Sequence, residues 1–361
     1  ARASLHDRSI LVGAGAGSGK TAVMAGRIAA MLAEGVAPYS IAAVTFTELA
    51  ASELLSRVRE FVADLSVGTI ATELRVALPD GLSQAHRDNL AAASAAIDEI
   101  TCSTIHGFCQ RLIKPYPAEA DIDPGAGVMD RNQADLTFLE IVDGWLRERL
   151  SGGQGGVLAE MVLHSPGETV ALIHKIAENM RRRPTLTAPP VSPLDGHLAA
   201  FRQATADFAS FMEGVAAAEP ETVTIVERLT EMAADVANGP NPVTPAGLVR
   251  LLTARPHPDL CTKTGTFASY RKKGKWAATA KQAGLSKADG DRLNDTAETH
   301  YTSCCDAWVT LAQAVAGHAL AALIDEARPI LQRYRDHKRA SAHLDFDDLI
   351  FAARDLLRDH D

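Results

Sequence analysis

The chain is sparing with several residue types, and each scarcity excludes something. Aromatics make up 5% of its 361 residues. Its five cysteines (Cys102, Cys109, Cys261, Cys304 and Cys305) form no C-x-x-C pair. That argues against a disulfide frame or a zinc site and for reduced thiols in a cytoplasmic protein. Cys304 and Cys305 are adjacent and read as helix filler. There is no apolar run of about eighteen residues, so no membrane span is expected. The N-terminal Ala-Arg-Ala-Ser-Leu-His-Asp lacks the apolar core of a signal peptide. An excess of basic charge is also missing: 36 Lys and Arg against 45 Asp and Glu give a net charge of −9. A surface that grips nucleic acid all over is thereby disfavoured, though a local basic groove is not. Two clusters offer one, Arg181-Arg182-Arg183 and Arg271-Lys272-Lys273 with Lys275, and for each solvated surface charge is an equal alternative.

What is present is an ordinary globular composition, 47% hydrophobic and 22% charged, in a chain long enough for two or three domains. Glycine is concentrated at one informative place. Residues 14–21 read Ala14-Gly15-Ala16-Gly17-Ser18-Gly19-Lys20-Thr21, the phosphate-loop pattern G-x-x-x-x-G-K-[ST] with alanine at the first position. Before it, Ser9-Ile10-Leu11-Val12 reads as a buried parallel strand; after it, residues 21–33 follow helical periodicity. Glycines at 15, 17 and 19 allow a tight turn whose N–H groups point inward, and the helix N-terminus adds a positive dipole end. Lys20 is then placed to reach the β- and γ-phosphates of a nucleotide, and the Thr21 hydroxyl to hold Mg²⁺.

Further along, strand and helix alternate. Residues 41–46 and 99–104 read as strands, with helices over about 48–63, 84–96 and 105–113. Leu49, Leu54, Leu55, Val58 and Phe61 form the expected apolar face of the first of these helices. Such alternation implies a parallel sheet with crossover helices. From about 130 to 340 the pattern is helical: 134–150, 167–180, 197–218, 221–237, 245–254 and a long helix over about 291–339. Residues 263–284, with Gly265, Gly274 and many lysines, read as a mobile loop. A last helix opens at Asp345, with Asp348 completing its cap.

Thr45-Phe46-Thr47 and Thr104-Ile105-His106-Gly107-Phe108 stand at the carboxyl ends of the second and third strands, where open α/β sheets bind ligands. Hydroxyls and N–H groups there suit phosphate oxygens, and aromatics suit unpaired bases. From the residues alone, Phe46 and Phe108 are equally readable as core and His106 as a structural histidine.

Taken in order, residues 14–21, then Thr45-Phe46-Thr47-Glu48-Leu49-Ala50-Ala51-Ser52-Glu53-Leu54, then Thr104-Ile105-His106-Gly107-Phe108-Cys109-Gln110-Arg111, then Leu344-Asp345-Phe346-Asp347-Asp348-Leu349, resemble the UvrD/Rep/PcrA class of superfamily-one DNA helicases. Thr-Phe-Thr-Glu and Thr-Ile-His-Gly-Phe-Cys-Gln-Arg look most like the RecB/AddA branch, the exodeoxyribonuclease V beta-like subunits of double-strand-break processing. The resemblance covers about the first 115 and the last 20 residues. It implies an α/β P-loop (RecA-like) parallel-sheet domain, residues 1–125 and 341–361, split by a large all-α insertion over 126–340. It implies a 3′→5′ ATP-dependent helicase of recombination or repair, cytoplasmic, acting on single-stranded DNA at a duplex junction, with a possible partner subunit in a helicase–nuclease complex. Ala14 to Thr21 would bind ATP, with Lys20 stabilising charge during hydrolysis and Thr21 holding Mg²⁺. Thr45, Phe46, Thr47, Thr104 and His106 would touch the single strand. The segment from Asp345 to Leu349 would be structural.

The same resemblance puts the family's adenine-reading glutamine before Ala1, and the Walker B carboxylates and second RecA-like domain after Asp361. The chain is thus expected to be an N-terminal piece of a larger enzyme and to hydrolyse ATP poorly by itself. Two other functions compete: an unrelated P-loop enzyme such as a small-molecule kinase, and a non-catalytic nucleotide- or partner-binding module.

Overall fold

The computed structural model of the chain describes residues 9–13, 15, 19–71, 74–75, 78, 81–153, 155–183 and 185–359. They divide into two compact units, one drawn from 1–134 and 338–361, the other from 135–337. Most described residues are helical, and the strands form two small parallel sheets.

In the first unit, α1 (Lys20–Ala33) starts directly after Gly19, whose φ of 82° is left-handed backbone that glycine adopts without strain. It buries Ala25, Ile28, Ala29 and Leu32. Strand β1 (Ala42–Thr45) leads into α2 (Glu48–Ser66), which Thr47 caps by accepting the Ala50 N–H at 3.1 Å. The buried stripe of α2 is Ala51, Leu54, Val58, Val62 and Leu65, at the three- and four-residue spacing of one helix face. Leu49 is not on it. It is 69% exposed because it stands about 200° around the helix from Ala51. Helix α3 (Gln84–Ala95) opens with a capping box between Ser83 and His86, and the Asn89 amide donates to the Ala33 carbonyl at the end of α1. Strand β2 (Thr101–Thr104) then runs into α4 (Ile105–Ile113).

β1 and β2 pair in parallel, from Ala42 opposite Thr101 to Thr45 opposite Thr104. The first strand expected from the sequence, at Ser9-Ile10-Leu11-Val12, is not formed. Residues 9–13 lie in no strand, and Leu11 is 98% exposed. A short apolar run has no local hydrogen bonds to hold it extended; it needs a neighbouring strand, and none among the described residues pairs with it. The sheet here is therefore two strands wide.

The second sheet was not foreseen. β3 (Gly127–Val128) pairs in parallel with β4 (His343–Leu344), bringing together two stretches far apart in sequence. Helix α13 (Phe346–Asp359) follows and packs beside α4, burying Cys109, Ile113, Leu349, Ala353 and Leu356 in one cluster. Its cap is the one the sequence suggested: Asp345 and Asp348 each accept the other's backbone N–H at 2.9 Å. Lys338 adds what the sequence did not indicate, donating to both carboxylates from a nearly buried position.

Helix α5 (Arg131–Ser151) carries the chain into the second unit and α12 (Lys287–Ala340) carries it out. Between them lie α6 (Val157–His164), α7 (Pro166–Arg182), α8 (Leu194–Glu213), α9 (Pro220–Ala237), α10 (Pro245–Thr253) and α11 (Lys273–Gln282). An isolated antiparallel bridge joins Cys261 and Phe267. Phe138, Trp145, Phe201, Phe208 and Trp308 anchor the core. By composition α12 is long and apolar enough to cross a membrane, but Leu311, Val315, Ala319, Leu323 and Ala327 recur every four residues and are buried in this core. Burial pushes the Cys304 and Cys305 thiols up to about 12 and about 11, which keeps them protonated and unreactive, as filler would be.

Two helices here escaped sequence reading. α6 follows a glycine-rich stretch, and Gly156 offers it no side-chain cap. Glu326 of α12 supplies one from afar, accepting the Val157 N–H at 2.8 Å and pairing with Arg149 at 3.1 Å. α11 lies within residues 263–284, read above as a mobile loop. It is instead fixed by Trp276, which is fully buried and donates its indole N–H to the Tyr270 hydroxyl at 2.7 Å.

Candidate nucleotide and single-strand site

Of residues 14–21, Gly15 and Gly19 to Thr21 are described; Ala14, Ala16, Gly17 and Ser18 lie outside the described residues. At the described end, α1 has no side-chain cap, so its first N–H groups are not claimed by a side chain of the N-cap residue. A Cβ placed on Gly13, Gly15 or Gly19 would meet nothing within 4 Å. The Lys20 ammonium donates to the Gly15 carbonyl at 2.5 Å. The half-buried Thr21 has no hydrogen bond to its hydroxyl among the described residues. An uncapped helix start, open space beside Gly15 and Gly19, a lysine reaching the Gly15 carbonyl and an unclaimed hydroxyl together fit a nucleotide phosphate with its Mg²⁺.

The strand ends converge through the β1–β2 register. Thr45 and Thr104 are paired partners, so both segments leave the same edge of the sheet. The Thr47 N–H donates to the Thr45 hydroxyl, and the Thr45 hydroxyl to the Thr47 carbonyl, both at 3.3 Å. Thr104 caps α4 by accepting the Gly107 N–H at 3.1 Å and donates its own proton to Glu48 Oε1 at 2.9 Å. Glu48, in the first turn of α2, thus links the two strand ends. Its sequence signal was present, an acidic residue opening a helix beside the Thr-Phe-Thr turn, but its partner is visible only in three dimensions. A Cβ on Gly107 would lie 3.2 Å from the Thr104 hydroxyl and 3.4 Å from the Ser103 Cβ, so glycine there keeps the cap in place.

Of the aromatics left open above, Phe46 is not core: it is 90% exposed at the tip of this edge. Phe108 is half-buried. His106 is also half-buried and its ring packs against Phe346 of α13, with centroids 4.4 Å apart. No local signal points to that partner, which is 240 positions further along the chain.

Replacing Thr104 by valine removes both the α4 cap and the Glu48 link. It is expected to destabilise the first unit by about 1–2 kcal/mol, read as a lower urea midpoint. An unchanged midpoint would show that neither bond contributes.

The basic clusters prove to be largely paired. Arg181 is held by Asp135 and Glu178 and lies over the Phe138 ring, and Arg182 pairs with Glu178 at 2.8 Å. Lys272 and Lys275 both engage Glu221, whose carboxyl they hold down to about 2. By contrast, Lys263, Arg271, Lys273, Lys281 and Lys287 are exposed and in no ion pair among the described residues. No acidic residue stands between Asp259 and Asp289.

The sequence has relatives. Residues 1–361 match the family model of the UvrD/REP helicase N-terminal domain. The chain is 37% identical over 151 residues to a Moorella thermoacetica protein named as one subunit of an ATP-dependent helicase/nuclease, a match covering 41% of this chain and 10% of that protein. It is 32% identical over 160 residues to the protein of the same name from Bacillus cytotoxicus, covering 44% of this chain and 12% of that one. A Desulforamulus reducens protein of that name is 30% identical over 160 residues, with the same coverage. The matches thus span about a tenth of the length of these relatives. With its lysine-capped glycine loop, its paired strand ends and a family match along its whole length, the chain belongs to the UvrD/REP helicase N-terminal domain family.

Proposed function

We propose that the chain is the ATP-binding, N-terminal part of an ATP-dependent 3′→5′ DNA translocase and helicase that acts in recombination or repair. The observation that carries it is the register pairing of Thr45 with Thr104, which sets two hydroxyl-bearing segments and the exposed Phe46 on one sheet edge. Residues 14–21 would hold the triphosphate, Lys20 balancing its charge and Thr21 contributing to the Mg²⁺ site. ATP–Mg²⁺, when bound, supplies the phosphoryl transfer to water that drives movement. Thr45, Phe46, Thr47, Thr104 and His106 would contact the single strand, Phe46 by stacking on a base. Since Thr104 now gives its proton to Glu48, it would meet a phosphate only by releasing that carboxylate.

In this proposal residues 1–125 and 341–361 form the first RecA-like domain and 126–340 an all-helical insertion. The contact boundaries at 134/135 and 337/338 and the pairing of β3 with β4 support that division. Within 263–287, the exposed Lys263, Arg271, Lys273, Lys281 and Lys287, in no ion pair among the described residues, support a duplex-facing role for the insertion. Tyr270 and Trp276 within it are buried, so it offers charge for backbone phosphates and few exposed rings for bases. A cytoplasmic setting and a partner chain complete the proposal. The free thiols support the first, and the naming of the relatives as one member of a helicase/nuclease supports the second.

Calorimetry with Lys20→Ala tests it. ATP affinity is expected to fall about tenfold or more. Oligo-dT binding, measured by fluorescence anisotropy, should weaken steeply with salt and weaken further in Phe46→Ala. A kinase would lose nucleotide affinity in the lysine variant yet ignore oligo-dT; a non-catalytic partner module would be indifferent to both.

A further inference from the structure

We infer that Phe346 is a positioning residue for His106, holding its imidazole in place at the single-strand edge. This rests on the strand-edge assignment proposed above. Three observations bear on it. The two rings lie 4.4 Å apart, inclined by 35°, a tilted face-to-face contact that restricts rotation of the smaller ring. Phe346 is the first residue of α13, directly after the Asp345 cap, so the backbone on both sides of it is pinned. The Asp345–Asp348 exchange of hydrogen bonds and the Lys338 bridge to both carboxylates see to that. His106 is the second residue of α4, and α4 packs beside α13 through Cys109, Ile113, Leu349, Ala353 and Leu356. The ring pair thus sits at the head of an interface whose buried cluster does not include it.

The arrangement has a clear division of labour. Thr104 and its Glu48 partner fix where α4 begins. Phe346 fixes which way the histidine next in line is turned. Phe346 keeps 37% of its surface exposed and lies outside the buried α4–α13 cluster, so its truncation is expected to leave that cluster packed.

The test uses the whole chain in four forms: wild type, Phe346→Ala, His106→Ala and the double variant, with Phe346→Tyr as the conservative rescue. The first readout is the ring-proton resonances of His106 in labelled protein, assigned by their loss in His106→Ala. Phe346→Ala should shift them by removing the ring current, and Phe346→Tyr should leave them near the wild-type position. The second readout is oligo-dT affinity. Phe346→Ala and His106→Ala should each weaken it on the order of fivefold, and the double variant should bind no worse than His106→Ala, since the two act as one unit. Phe346→Tyr should bind as wild type does. Circular dichroism checks that each variant is folded. Unmoved His106 resonances in Phe346→Ala, or losses that multiply in the double variant, would overturn the inference while leaving the strand-edge assignment intact. No oligo-dT binding by the wild type would overturn the assignment and this role with it.

Discussion

Trp276→Ala is expected to cost the second unit about 3–5 kcal/mol, the usual price of emptying a fully buried aromatic site. The indole is completely enclosed and also begins a directed chain of hydrogen bonds. Its N–H donates to the Tyr270 oxygen at 2.7 Å. The Thr222 hydroxyl donates to the Glu219 carboxylate at 2.7 Å, because an ionised carboxylate only accepts. In the 2.6 Å contact between Thr222 and Tyr270, the proton must therefore be the tyrosine's. Burial also pushes the Tyr270 hydroxyl up from its ordinary range, which keeps that proton on the oxygen. The carboxylate at the far end accepts the N–H groups of Glu221 and Thr222 at the start of α9. Trp276 therefore joins α11 to α9 through polar contacts as well as packing. The thermal transition of this unit is expected to drop on the order of 10 °C in the alanine variant. Trp276→Phe, which keeps most of the volume and loses the N–H, should lose about 1–2 kcal/mol. A change of less than a degree in Trp276→Ala would mean that 263–284 is the loose loop its composition suggested.

Lys338→Met is expected to cost about 3 kcal/mol. That is the low end for leaving buried carboxylates without their cation, because Asp348 keeps 28% of its side chain in solvent. Lys338 and Asp345 are almost wholly buried. The loss should also depend on pH. The Asp348 carboxyl is raised from its usual range, first by burial and then by Asp345 beside it, with the Lys338 ammonium pulling it down. An acid whose folded pKa is raised takes up a proton more readily in the folded state. Its contribution to stability is complete in acid and is lost as the pH climbs through the folded pKa. Removing Lys338 takes away the downward pull and moves that loss to higher pH. The deficit of Lys338→Met should therefore be smaller near about pH 4 than near about pH 7, read as paired urea midpoints. Adding Asp348→Asn should recover part of the neutral-pH loss. An equal deficit at both pH values would show that the carboxylates stay solvated enough not to need the lysine. Since Phe346 sits between these two aspartates, Lys338→Met should also loosen the Phe346–His106 ring pair.

Local signals and distant ones separate cleanly in this chain. The helix over 105–113 was legible to the residue because Thr104 caps it from the adjacent position. The same holds for α13, where Asp345 and Asp348 are three residues apart. The strand at 42–45 was legible from the apolar run over 41–46, and that at 101–104 from the strand-like stretch over 99–104. The run over 9–12 looked alike on paper and forms no strand, because identical local composition does not supply a pairing partner. α6 was missed because its cap, Glu326, lies 169 residues away in the sequence. α11 was missed because the glycines and lysines spread over 263–284 suggested a loop, while one buried tryptophan holds the helix in place.

Function divides along the same line. By itself the sequence determined the phosphate-loop motif, the starts of α4 and α13 and the order of motifs, since each depends on residues within a few positions of one another. Tertiary structure alone decided that Phe46 faces solvent while His106 meets Phe346, that Glu48 takes the Thr104 proton, and that most of the two basic clusters is already paired. Those outcomes depend on which groups approach within a few ångströms after folding. Sequence spacing cannot report a hydrogen bond or a ring contact between residues that only the packing of distant segments brings together.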